Sequence, residues 1–319
     1  MLVQSGVRLR SAATSRMPRL DPIITLYVVL ALFTAYYLYV VIQGVRRRAK
    51  SEPVKPSAKL FATGFLTQFL DTLGIGSFAT TTSIFRFGRF VPDELIPGTL
   101  NVSLTLSAIV QTYLFTRLVP VEAQTLILMI AAAVLGAWVG APIVARWPRV
   151  RIQIGMGAAL LIFAAILLGG MVKVLPAGGN ALALTGGKLV VGVAANFMLG
   201  ALMTLGIGLY APCMILVSLL GLTPAAAFPI MMGSCAFLMP VASARFVKAD
   251  RFHTRAVVSI ALAAIPSVIL AFVWFRTLPL RAVQWLVLVV VVYAAIGLLR
   301  TAWRERVPVA TSGPLSAEA

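Results

Sequence analysis

The chain has 319 residues, 60% of them hydrophobic and 11% charged, with a mean hydropathy of +0.98; a soluble domain carries about a quarter charged residues, so water is not its main solvent. The formal net charge of +18 lies in short basic clusters between apolar runs. That pattern argues against a nucleic-acid binder and for the loops of a membrane protein.

The first twenty residues hold four arginines and several serines and no acid before Asp21, a composition like that of targeting segments. A basic tail over 1–22, or a start at Met17, accounts for it more simply. An apolar run then covers 23–43, and others follow at 60–87, 97–116, 121–145, 152–171, 188–220, 224–247, 256–275 and 281–300. A transmembrane helix needs about 20 such residues. Only helices and closed barrels satisfy the backbone in lipid, and the short alternating segments of a barrel are missing, so an all-α polytopic membrane protein is expected. Basic residues separate the runs: Arg46, Arg47, Arg48, Lys50, Lys55 and Lys59 after the first, Arg146, Arg149 and Arg151 after the fourth, and Arg245, Lys248, Arg251 and Arg255 after the seventh. Cys213 and Cys235 lie inside apolar runs and His253 in a basic loop, which suggests neither a disulfide framework nor a metal site. No cofactor is expected.

One stretch occurs twice. FLTQFLDTLGIGSFATTTSI at 65–84 returns as FMLGALMTLGIGLYAPCMIL at 197–216, offset by 132 residues without a gap. The same offset aligns Phe65 with Phe197, Leu70 with Leu202, Ala79 with Ala211, Pro92 with Pro224 and Pro97 with Pro229. Two prolines in register beyond the shared TLGIG point to an internal duplication. The expected organisation is a basic tail (1–22), an extra transmembrane helix (23–45), a basic linker (46–59), a first half (60–172), a Gly-rich linker (173–187), a second half (188–300) and a cytoplasmic tail (301–319). Each half has four segments. The motif-bearing segments exceed one ordinary span and carry paired glycines near their middles, as broken helices would.

Two topologies compete. If every run crosses fully, Lys and Arg divide 16 inside against 11 outside; if each motif segment re-enters on its own side, they divide 18 against 9. The second division fits the positive-inside rule slightly better. It leaves three full crossings per half and therefore inverts one half relative to the other, as in many secondary transporters. Both place the C-terminus in the cytoplasm.

Gly74 and Gly76, and again Gly206 and Gly208, remove side chains where a helix can unwind and leave N–H groups for a ligand. Such backbone is tolerated at membrane depth only where protein or a watery cavity surrounds it, and a helix N-terminus suits an anion. Isolated glycines more often serve close helix packing, the reading given to Gly136 and Gly140 in GAWVG. Gln68, Thr80, Thr81, Thr82 and Ser83 surround the first motif, Tyr210 and Cys213 the second, and Asn101 and Ser234 the helices that follow. Many such hydroxyls simply bond back to their own helix. Asp71 is the acid well inside an apolar run, where an unpaired carboxylate is costly or takes up a proton. Proton coupling, a structural ion pair and a helix-end hydrogen bond are all open to it. Its counterpart in the second half is Met203.

FLDTLGIGSFATTTSIF, DELIPGTLNVS at 93–103 and GIGLYAPCMIL resemble the TauE/SafE family, sulfite exporter-like anion permeases with duplicated halves, over roughly 60–300. The resemblance implies transport of sulfite, thiosulfate, a sulfonate or a related small organic anion across a bacterial inner membrane, often with proton coupling. By motif position it points to Asp71, Thr72, Gly74, Gly76, Asn101, Gly206, Gly208 and Pro212. Thr80 stands where related sequences often have a proline, the position matched here by Pro212, and the helix at 23–43 exceeds the family's eight segments. The expected protein is a multi-pass permease of the bacterial inner membrane, not an enzyme; an ion channel or accessory subunit is the alternative. Its partners would be a small anion, the lipid bilayer and a second copy of itself in a homo-oligomer, without nucleic acid. The expected substrate contacts are Gln68, Thr72, Gly74, Ile75, Gly76, Thr80, Asn101, Thr204, Gly206, Gly208, Tyr210, Pro212, Cys213 and Ser234, with Asp71 for the proton.

Overall fold

The computed structural model describes residues 21–50, 54–140, 149–172, 179–203 and 209–306. About 85% of it is helix, without strands among the described residues, and seven helices are long and apolar enough to cross a membrane.

Helix α1 (Pro22–Arg48) opens on Asp21, whose side chain accepts from the Ile23 N–H at 2.9 Å, with a proline in its first turn. It runs three residues beyond the expected 45, because Arg46, Arg47 and Arg48 fill its last turn, where cations meet the negative end of the helix dipole. The 60–87 run is two helices, α2 (Ala58–Thr72) and α3 (Ser77–Gly88). Gly74 and Gly76 take φ of +97° and +80°, which glycine adopts without a Cβ clash. A 3₁₀ turn at Asp93–Leu95 leads into α4 (Ile96–Leu118), with proline in its first turn, where its missing N–H costs nothing. Glu122 caps α5 (Ala123–Leu135) by accepting from Gln124 and Thr125 N–H at 2.9 and 2.7 Å, and a π-helical turn follows at Gly136–Gly140. Then come α6 (Arg149–Met171), α7 (Gly186–Met203) and α8 (Tyr210–Leu219). After a 3₁₀ turn at Pro224–Ala226 the chain ends in α9 (Ala227–Lys248), α10 (Thr254–Thr277) and α11 (Leu280–Arg306). The second TLGIG, with Thr204, Gly206 and Gly208, lies outside the described residues.

The centre is the pair α4 and α9, buried over 72% and 78% of their apolar windows, against 17% for α1. Between apolar helices in lipid the attraction comes from close packing and interhelical hydrogen bonds, so small residues mark the seams. A Cβ on Gly64 would lie 2.9 Å from the Cα of Ile260, so α2 sits tight against α10. Gln68 Nε2 reaches the Ile260 carbonyl at 2.9 Å, Ser267 donates to the Phe65 carbonyl at 2.6 Å, and Phe69 stacks on Trp274. The seam of α7 on α5 repeats this construction. A Cβ on Gly200 would overlap the Ala133 carbonyl, one on Gly136 would overlap that of Phe197, and Asn196 Nδ2 reaches the Met129 carbonyl at 2.7 Å. Gly136 therefore serves packing, as expected.

Contacts at the helix ends sort the bundle into two ends. At one, Arg47 pairs with Asp250 at 2.6 Å, Arg48 donates to the Phe252 carbonyl, Arg255 donates to the Lys55 carbonyl at 3.1 Å, and the Ser57 N–H meets Ser259 at 2.9 Å. The foot of α3 gathers there too, since Arg89 and Phe90 share a cavity with Arg48, Lys59 and Arg255. At the other end Phe115 stacks on Phe228 and meets Phe275, and Ala181 bonds to Gly221 and Thr223. Both α2–α3 and α7–α8 close with a left-handed residue, Arg89 (φ +49°) and Gly221 (φ +94°), and with matching bonds: Phe90 N–H to Phe85 O at 3.0 Å, Leu222 N–H to Val217 O at 3.1 Å.

Candidate functional site

Asp71 lies in the last turn of α2, 4% exposed. Its Oδ1 accepts from the Ser77 N–H at 2.6 Å, so the carboxylate of one helix caps the start of the next across the glycine break. Oδ2 accepts from Gln111 Nε2 of α4 at 3.0 Å and from the Tyr210 hydroxyl of α8 at 3.4 Å. Gln111 Nε2 also donates to Thr72 Oγ at 3.0 Å, while Gln111 Oε1 accepts from the same Tyr210 hydroxyl at 3.1 Å. Thr72 in turn donates to the Gln68 carbonyl at 2.8 Å. A helix-end hydrogen bond, one of the roles open to Asp71, is thus present. No cation hydrogen-bonds to the carboxylate among the described residues, so neutral donors alone hold it.

The break itself is better satisfied than its glycines suggest. Leu73 and Ile75 donate back to the Leu70 carbonyl, Gly74 to that of Asp71, and Ser77 to the Asp71 side chain. Gly76 and the first turn of α3 supply the remaining N–H groups. Met214 and Phe228 pack against Gly74, whereas among the described residues nothing lies within 4 Å of a Cβ added at Gly76. Ile75 is half-buried beside it.

The expected contacts do not share one place. Asp71, Thr72, Gly74, Ile75, Gly76 and Tyr210 meet at the break. Thr80 sits in the next turn of α3 and bonds back to the Gly76 and Ser77 carbonyls at 3.2 and 3.0 Å; Thr82 and Ser83 bond back likewise. Gln68 places its amide between the Gly64 and Ile260 carbonyls, leaving a buried Oε1 with no partner. Asn101 is ten residues before Gln111 on α4, about 15 Å along the helix. Its Nδ2 bonds to the Pro97 carbonyl at 2.9 Å, and its carbonyl receives Thr105 and Ser243 at 2.6 and 3.0 Å. Ser234 donates to Ile230 and accepts from Asn196 Nδ2 at 3.4 Å. Cys213 is buried in the apolar core and Pro212 half-buried in the first turn of α8.

Sequence reasoning missed Gln111, Ser77 and Asn196. An uncharged amide inside an apolar run was the available signal for Gln111 and Asn196. Asp71 calls for donors, but the sequence does not say which helix supplies them.

A family model described as Sulfite exporter TauE/SafE matches residues 6–173. The chain belongs to the TauE/SafE family. Membership makes it a membrane transporter. The match runs from before α1 through α6 and thus takes in the helix set apart from the repeat, while α7 to α11 lie beyond it. No curated protein and no solved structure matches the chain.

Proposed function

We propose that this TauE/SafE protein is a secondary transporter for a small anion such as sulfite or a sulfonate, coupled to protons through Asp71. The observation that carries this reading is the closure of Tyr210, at the start of α8, on Asp71 and Gln111 at the break between α2 and α3. The two motif segments converge on one buried polar cluster. An anion at Gly76 and the start of α3 would lie close to the Asp71 carboxylate and be repelled by it; a proton on Asp71 removes that repulsion. Proton and anion then bind together. With the carboxyl neutral, the Tyr210 hydroxyl stays with Gln111 Oε1, already the nearer acceptor.

Two halves, 60–172 and 188–300, inverted relative to each other, carry the mechanism. Supporting this is the order of elements, a broken pair followed by a 3₁₀ turn and three helices, which occurs twice at the spacing of the sequence repeat. The exchange of seams supports it as well: α2 lies on α10 and α7 on α5, each broken pair packing on the other half. Both feet of α2–α3 gather at the Arg47–Asp250 end and those of α7–α8 at the Ala181–Gly221 end, the arrangement of re-entrant pairs from opposite faces. Basic residues favour the Arg47 end as cytoplasmic. A helix of 27 residues, about 40 Å, then carries α11 back to that face of the inner membrane.

Uptake of labelled sulfite, sulfoacetate and small carboxylates into proteoliposomes under an imposed pH gradient tests the function. Saturable, gradient-driven flux is expected, and Asp71→Asn abolishes its proton dependence while the purified protein stays folded. Flux and pH dependence unchanged in Asp71→Asn remove the coupling role; flux of a cation or neutral solute with none of any anion defeats the substrate class. For topology, Phe87, 96% exposed, and Leu219, 63% exposed, are replaced by cysteine singly. Re-entrant pairs require labelling from opposite faces, and labelling from one face would restore nine full crossings.

A further inference from the structure

The Arg47 end holds a cavity of about 480 Å³ between the feet of α2 and α3, the end of α1 and the α9–α10 connection. Arg48, Lys59, Arg89, His253 and Arg255 line it together with a mainly apolar remainder, and among the described residues no carboxylate does. Of the described acids nearby, Asp250 pairs with Arg47 at 2.6 Å and reaches only Arg48 of the lining cations, at 3.9 Å, and Asp93 pairs with Arg86 at 3.1 Å. Arg48 and Arg255 each hold a main-chain carbonyl. For Lys59 and Arg89 there is no ion-pair partner among the described residues. Cations converging on one cavity repel each other, and an oxyanion relieves them with charge-assisted hydrogen bonds that suit the guanidinium fork.

The backbone at Arg89 is a separate observation. This residue occupies the left-handed position that closes α3, with φ 49° and ψ 40°, where a Cβ is unfavourable and glycine is preferred. The turn after α8 makes the same hydrogen bonds with Gly221. Turn geometry therefore does not call for an arginine. Offset by 132 residues in the chain, Lys59, Arg89 and Arg255 answer to Val191, Gly221 and Ala123, so the cationic cluster is built at one end only.

We propose that this cavity binds a tetrahedral oxyanion of sulfate, sulfonate or phosphate type, with Lys59, Arg89 and Arg255 as its ligands. The group comes either from a dissolved anion or from the headgroup of an anionic phospholipid. The site does not rest on the transport reading, since Lys59 precedes Asp71 by twelve residues, about 18 Å along α2.

Thermal unfolding of the full chain in nanodiscs tests it. One arm uses neutral phosphatidylcholine with sulfate added, and chloride at matched ionic strength as control; the other adds phosphatidylglycerol without sulfate. The wild type is expected to gain a saturable rise in melting temperature in at least one arm, and that arm identifies the source. Arg89→Gly suits the backbone, so its melting temperature without ligand is no lower than wild type. Arg89→Gly and Lys59→Gln nonetheless weaken the apparent affinity by about tenfold or more, the loss of one charge-assisted hydrogen bond, and Asp71→Asn keeps the shift. Wild-type shifts in both cavity variants, no shift in either arm, or a shift lost in Asp71→Asn but kept in Arg89→Gly would each overturn the assignment.

Discussion

Helix α2 lies along α10 and reaches its main chain through the Gln68 amide; α7 lies along α5 and does the same through Asn196. Glycine allows the close approach in both seams, Gly64 in one and Gly200 in the other. The resemblance ends at the tips and the feet. Asp71 meets donors from α3, α4 and α8, whereas Met203 packs against the apolar core and meets the Cys235 thiol at 3.8 Å. Arg89 strains the turn that Gly221 makes freely. The glycine-and-amide seam occurs twice, the hydrogen-bonded buried carboxylate once among the described residues.

The largest effect expected from breaking this comparison is that of Met203→Asp. Among the described residues only the Cys235 thiol reaches that side chain as a donor, and an acid in the middle of a membrane helix costs about 3 kcal/mol; poor recovery of folded protein checks this. Gly200→Ala comes next, because its Cβ overlaps the Ala133 carbonyl and overpacking costs about 1–3 kcal/mol. Gly64→Ala, whose Cβ stands 2.9 Å from the Ile260 Cα where that of Gly200 falls 2.0 Å from a carbonyl oxygen, lowers the melting temperature less. Tyr210→Phe spares both seams and removes the hydroxyl shared by Asp71 and Gln111. About 1 kcal/mol is expected, read as roughly a fivefold fall in proton-driven flux with little change in melting temperature. Gln68→Leu and Asn196→Leu are the smallest, about 0.6 kcal/mol each, and should match one another in unfolding experiments. Unequal values would show that the two seams are not equivalent.

Much of this was legible in the chain. The runs at 97–116, 224–247 and 256–275 became α4, α9 and α10, since continuous apolar length is what lipid selects. Gly74 and Gly76 foretold the break between α2 and α3, because few other residues accept a positive φ. Asp71 stood out as an acid among apolar neighbours. Gln111 did not, since an amide in an apolar run looks the same whether it seals a seam, as Gln68 does, or holds a carboxylate. Asn101, reached by motif position, and Ser234, a polar group on the helix after the second motif, each answer to their own local partners on α4, α7 and α9. The N–H groups expected to be open at the break mostly turn back onto α2, a closure that the glycines permit and that a string of letters does not display.

Composition and spacing by themselves determined that this chain lives in a bilayer as helices, that one glycine motif occurs twice, and that a single acid accompanies the first copy. Which helix lies against which was decided only in three dimensions, because an apolar face in lipid has no preferred partner until small residues let two backbones approach. That same packing brought Tyr210 across 139 residues of chain to Asp71 and set Arg89 beside Lys59 and Arg255, contacts between segments that no local pattern links.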